Sequence, residues 1–198
     1  MAEPLPLTVA RRELILGGQK SGKSRRAEQL AQAWLGQSSA HRAVLIATAT
    51  PGDAEMRERI ARHQRDRAAR VPGLATAEEP LHLAQALLQH SEPGTLLVVD
   101  CLTLWLTAWL MPPEEPVASA VPRVSEPPVG PLLDAIAQAP GPLVLVGNEI
   151  GLGVIPLGRE VRAFVDALGR LNQDVAARCE RVTLMAAGLP LCLKETTP

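Results

Sequence analysis

The chain has 198 residues, enough for one domain with a substantial core and short for two. With 46% apolar residues, 21% charged residues and a formal net charge of -1, it gives no electrostatic case for binding nucleic acid or an anionic membrane. Three Trp, one Phe and no Tyr leave an aliphatic core and exclude a base-stacking platform for single strands.

Residues 1–12 form an N-terminal tail in this reading, with no apolar run of the kind that makes a secretory leader. No run approaches the ~20 apolar residues needed to span a bilayer. Cys101, Cys179 and Cys192 are scattered and show no Cys-x-x-Cys or Cys/His ligand spacing. A zinc site or disulfide framework is therefore not expected, and a reducing cytoplasm is the natural compartment.

The folded unit is expected from 13 to 198. Its first strand is ELIL (13–16), followed by a glycine-rich turn and the helical segment SRRAEQLAQAWLGQ. AVLIAT (43–48) is the second strand, and a charged helix around 53–68 follows it. PLHLAQALLQH predicts a helix before the strand TLLVVD (95–100). The stretch 111–131, MPPEEPVASAVPRVSEPPVGP, is rich in proline and small polar residues and predicts an extended or mobile insert. PLVLVGN (142–148), the long helix REVRAFVDALGRLNQDVAARC and RVTLMAA (181–187) complete the pattern. Strands apolar on both faces and alternating with helices predict a single α/β domain built on a mainly parallel sheet.

GGQKSGKS, residues 17–24, matches G-x-x-x-x-G-K-[ST] between a strand and a helix. Glycines let the backbone wrap a phosphate chain, with N–H groups aimed inward at the positive end of the next helix. In that cradle Lys23 would reach the β- and γ-phosphates and the Ser24 hydroxyl would hold Mg²⁺. Such proteins place a second carboxylate at a neighbouring strand end, and Asp100, closing TLLVVD, fits. Glu149, after the strand at 142–148, falls on the same carboxyl edge, where open α/β sheets bind ligands.

His63 lies in EMRERIARHQRDR, and on a helix it shares a face with Met56, Ile60 and Arg67. A histidine on an apolar face is usually a packing residue. This one follows a strand and turn that open onto the phosphate edge, and a neutral imidazole is a good nucleophile toward phosphorus. Neighbouring arginines could stabilise charge on a transferred group. His41, His82 and His90 sit in a polar connection or on a surface helix and have weaker claims.

Together these blocks resemble the bifunctional adenosylcobinamide kinase / adenosylcobinamide-phosphate guanylyltransferase family of cobalamin assembly. The matching pieces occur in order: LGGQKSGKSRRAE, IATA, DAEMRERIARHQRDR, TAEEP, VVDCLTLWL, GNEIGLGVIP and RAFVDALGRLNQDVA. The resemblance implies a P-loop NTPase fold of the RecA-like type. It implies phosphoryl transfer from ATP or GTP to the corrinoid adenosylcobinamide, then GMP transfer from GTP through a guanylyl-histidine to give adenosylcobinamide-GDP and pyrophosphate.

On that basis His63 matches the nucleophile and Lys23 acts beside it. The nucleotide contacts map to Gly17, Gly18, Gln19, Lys20, Ser21, Gly22, Lys23 and Ser24; to Ala47, Thr48 and Ala49; to Gln64, Arg65, Asp66 and Arg67; and to Glu78 and Asp100. Glu78 is the candidate to read the guanine edge, and Ser24 with Asp100 the candidates to hold Mg²⁺. A homo-oligomer, a trimer by resemblance, is expected, with no nucleic acid or membrane partner. The sequence departs from the family at Val165, where relatives carry arginine, and at Arg62, where some carry a second histidine. The competing reading is a P-loop small-molecule kinase or a regulatory NTPase, although no N-K-x-D guanine motif is present.

Overall fold

The computed structural model describes residues 7–50, 54–112 and 126–196, with the side chains at 54–57, 59, 60 and 63 outside the description. Among these residues seven strands form one sheet: β1 (Arg12–Gly17), β2 (Arg42–Ala47), β3 (Leu74–Glu78), β4 (Thr95–Asp100), β5 (Leu143–Val146), β6 (Arg181–Ala186) and β7 (Leu189–Glu195). Their order is β3-β2-β4-β5-β1-β6-β7. All neighbours are parallel except β6 and β7, which form an antiparallel hairpin. Among the described residues six helices flank the sheet: α1 (Lys23–Gln37), α2 (Ala54–Arg70), α3 (Leu83–His90), α4 (Leu102–Leu110), α5 (Val129–Gln138) and α6 (Arg159–Arg178).

The period of two along each strand divides the core between the two faces of the sheet. Leu14, Leu16, Ile46, Leu97, Val99, Leu143 and Leu145 face a layer made by α3, α4, α5 and α6. Ile15, Leu45, Leu96, Val98, Val144 and Val146 face the other way, against Ala27, Leu30 and Ala31 of α1. Because both faces are covered, the central strands read as continuous aliphatic runs.

The five expected strands form. β3 and β7 are additional, and so are α4 and α5. Contacts with the core also begin before residue 13. Leu7 and Val9 pack against the α1-side core, and the Arg11 carbonyl accepts from the Leu143 N–H. β1 starts at Arg12, whose buried guanidinium donates to the carbonyls of Ala137 and Ala139 at the end of α5, at 2.9 and 2.8 Å. Of the stretch 111–131 expected as an insert, residues 129–131 belong to α5. Pro131 stands in its first turn, where a missing N–H costs nothing. Residues 113–125 lie outside the described residues.

Candidate active site

The loop after β1 holds the cradle shape that its motif predicts. Gly17 has φ 149°, and a Cβ there would stand 2.4 Å from the Met185 carbonyl oxygen and 2.6 Å from Ser21 Oγ. Gly22 sits at φ 103° in the left-handed region, immediately before α1. The loop is tied across to the β6–β7 turn by Gly188 N–H donating to the Ser21 carbonyl at 3.0 Å. Lys23 folds back so that its Nζ donates to the Gly18 carbonyl at 2.7 Å. Burial pushes the Lys23 ammonium below its ordinary pKa, opposed by the nearby Asp100 carboxylate.

The sheet order explains how the second carboxylate arrives. β5 lies between β1 and β4, and Val146 is in register with both Ile15 and Asp100. Asp100 is also in register with Ala47 of β2. Three strand ends therefore converge on a cavity of about 940 Å³ at the carboxyl edge of the sheet.

Its floor is the loop Gln19–Ser24. Asp100, Cys101 and Asn148 form one side, and Arg62, Gln64, Arg67 and Arg70 of α2 form another. Arg25 of α1 adds a further cation, and Leu104, Val146 and Ile150 supply an apolar edge. The Cys101 thiol is raised to about 11 by burial and by Asp100, so it stays protonated near neutrality.

The cationic wall is anchored from behind. Buried Glu28 of α1 accepts two hydrogen bonds from Arg70, at 2.8 and 3.0 Å, and this pairing holds the Arg70 guanidinium above its ordinary pKa. Arg67 is buried as well. Its Nε lies 3.9 Å from Glu28 and makes no hydrogen bond among the described residues. A buried guanidinium with an unspent donor, facing a cavity above a phosphate cradle, suits an anionic ligand.

The expected residues divide as follows. Gln19 through Ser24, Ala47, Ala49, Gln64, Arg67 and Asp100 line the one cavity. Gly17 and Gly18 shape its floor. Thr48 lies behind it: its hydroxyl donates to the Cys101 carbonyl at 2.7 Å and accepts from the Cys101 N–H at 2.8 Å, tying β2 to β4. Arg65 and Asp66 are exposed on α2 and do not line the cavity. Glu78, at the end of β3, accepts from Gln64 Nε2 at 3.0 Å and so reaches the cavity through that amide. Glu149 is turned into its own loop, its carboxylate accepting from the Gly151 N–H at 2.9 Å.

His63 belongs to α2, between Arg62 and Gln64, both of which line the cavity; its side chain lies outside the described residues. His41 stacks on Trp34 with ring centroids 3.8 Å apart, away from the site.

Arg70 and Asn148 were not anticipated as site residues. Arg70 depends on a partner 42 positions away. Asn148 is held by its backbone: its N–H donates to Thr103 Oγ1 at 2.8 Å and its carbonyl accepts from Asn172 Nδ2 at 3.1 Å. Only its place one residue beyond Gly147, after a buried strand, could have marked it.

A mainly parallel sheet with a phosphate loop after its first strand, a carboxylate two strands away and a cationic helix over both defines a P-loop nucleotide-dependent transferase. Residues 13–193 match the model of the family described as cobinamide kinase / cobinamide phosphate guanyltransferase, and the chain belongs to that family. It is similar to the bifunctional adenosylcobalamin biosynthesis protein CobP of Pseudomonas aeruginosa, 48% identical over 183 residues, covering 92% of this chain and 97% of the relative. The bifunctional adenosylcobalamin biosynthesis protein CobU of Escherichia coli and that of Salmonella typhimurium are each 33% identical over 187 residues, with 91% of this chain and 98% of the relative covered. The chain is thus a kinase and guanylyltransferase of cobalamin biosynthesis. No helix among the described residues is long and apolar enough to cross a membrane.

Proposed function

We propose that both reactions run in the one cavity, with α2 supplying the nucleophile for the second. In the kinase step the hydroxyl oxygen of the adenosylcobinamide side arm bonds to the γ-phosphorus of ATP or GTP. The bond to the β–γ bridging oxygen breaks, the nucleoside diphosphate leaves, and the hydroxyl proton passes to solvent. In the transfer step a ring nitrogen of His63 bonds to the α-phosphorus of GTP as the α–β bridging bond breaks and pyrophosphate leaves. A phosphate oxygen of adenosylcobinamide phosphate then takes the GMP, freeing the imidazole and giving adenosylcobinamide-GDP.

The single observation that carries this reading is the arrangement of α2. Arg62, Arg67 and Arg70 face the phosphate loop across the cavity, and His63 stands in the same helix between two lining residues. Lys23 faces them from the floor. Opposed cations of this kind bind the triphosphate and stabilise charge that builds on the leaving group. Gln64 and Glu78, joined at 3.0 Å, form an amide–carboxylate pair able to accept from the guanine N1–H and 2-amino group.

Ser24 and Asp100 both line the cavity and offer hard oxygen donors, which fits Mg²⁺ held by a few protein oxygens together with phosphates. When bound, that ion neutralises phosphate charge. No cluster of three or more metal-ligating side chains occurs among the described residues, in keeping with an ion that arrives with nucleotide. Three free thiols, two of them buried, suit a cytoplasmic setting. Exposed Leu189, Leu191 and Leu193 on the edge strand β7 support assembly into a homo-oligomer, a trimer by family resemblance.

The test uses GTP labelled at the α- or the γ-phosphate, with Mg²⁺ and no acceptor. An acid-labile, base-stable protein adduct carrying α-label alone is expected, and it disappears in His63→Ala. An adduct of undiminished yield in that variant, or γ-label on protein, would overturn the assignment in favour of a simple kinase or a nucleotide switch.

A further inference from the structure

The cavity and its substrates differ in scale. About 940 Å³ holds one drug-sized ligand of ordinary bulk, so a nucleoside triphosphate and the tip of an acceptor arm fill it. The corrin macrocycle that carries the arm must rest outside, against something. From Ile150 to Leu157 the chain reads IGLGVIPL, eight residues without one polar side chain, at the rim of this cavity.

Ile150 lines the cavity itself. Beyond it Leu152 is 81% exposed, Ile155 76%, and Val154 and Leu157 97% each. Contiguous apolar exposure of this kind marks a binding surface, since folding alone would bury it. The segment is built rather than frayed. At its root Glu149 N–H donates to the Gly17 carbonyl at 3.1 Å, and Asn148 is clamped by Thr103 and Asn172. At its far end Arg162 donates to the carbonyls of Pro156, at 3.0 Å, and Leu157.

We propose that residues 150–157 form the platform on which the corrin ring of cobinamide lies, face down on aliphatic side chains, with its hydroxyl arm passing Ile150 into the phosphate cavity. The inference rests on the corrinoid-transferase reading above and adds the place of the ring. Continuity with the cavity through Ile150 is what commits this surface to substrate; the leucines of β7 lie on an edge strand elsewhere.

The test compares the parent with a double variant, Ile155→Asn and Leu157→Asn, both at exposed positions where folding is little affected. Cobinamide binding is followed by equilibrium dialysis through the visible absorbance of the ring, adduct formation with labelled GTP alone, and mass by light scattering. The expected result is a dissociation constant for cobinamide raised at least about tenfold, with the yield of GMP adduct and the mass unchanged. Unchanged cobinamide affinity overturns the platform. So does a fall in mass, which would give the surface to a second copy of the chain. A parent that binds cobinamide but forms no adduct sinks the role of His63 and leaves the platform standing.

Discussion

Lys23 sits in the cavity under two opposed demands. Its charge is needed for phosphate, yet burial disfavours that charge in the free protein. A lysine whose folded pKa is lowered binds fewer protons than the unfolded chain, between that pKa and the ordinary 10.5. Stability of the nucleotide-free protein therefore rises with pH in that window. Lys23→Met should abolish nucleotide binding in calorimetry while the melting temperature of the free protein stays level or increases. Thr48 makes the opposite kind of contribution. Thr48→Val removes two hydrogen bonds to the Cys101 backbone and should cost about 1–3 kcal/mol in denaturant unfolding. The thiols offer a third measurement: a disulfide reagent at pH 8 should titrate one cysteine rapidly, the exposed Cys192, and all three after denaturation. Burial pushes Cys101 up to about 11 and Cys179 up to about 12, which slows both. The cradle residues were legible because the motif encodes a backbone shape. Nothing in the sequence shows that the Thr48 hydroxyl is spent on the Cys101 backbone, 53 positions away.

Among elements, α2 owes its position to charge as much as to packing. Its only described buried side chain is Arg67, and Glu28 of α1 is its counterpart, with Val71 sealing the end of the helix. Arg70→Ala leaves Glu28 without a hydrogen bond from α2 and should destabilise the fold by about 1–2 kcal/mol in urea titration. It should also weaken GTP binding, because the same side chain lines the cavity. The elements that the sequence did not disclose have physical reasons for being hidden. β3, LATAE, is half exposed and has no apolar run. β7 contains Pro190, which demotes a strand reading to an edge, the place it occupies. α4, LTLWLTAWL, is apolar almost all round and has no polar face to reveal its period. Strands β1, β2, β4, β5 and β6 were legible because burial on both faces leaves an unbroken aliphatic signature.

At the scale of the molecule, the sheet order places the phosphate loop and Asp100 two strand spacings apart, about 9.6 Å. The linear pattern predicted alternation and parallel pairing, but which strands are neighbours depends on crossovers that composition does not show. If β7 joins copies of the chain, Leu191→Asp should lower the mass seen by light scattering while the monomer keeps its far-ultraviolet circular dichroism. The two faces of the sheet are also unequally clad. Four helices contribute to one core, whereas among the described residues α1 alone supplies fully buried helical side chains to the other. The helix that begins at the nucleotide's phosphates is thus joined directly to that second core, through Ala27, Leu30 and Ala31. Occupancy of the cavity should then register in deuterium uptake as slowed amide exchange concentrated along α1, with α3 through α6 nearly unmoved.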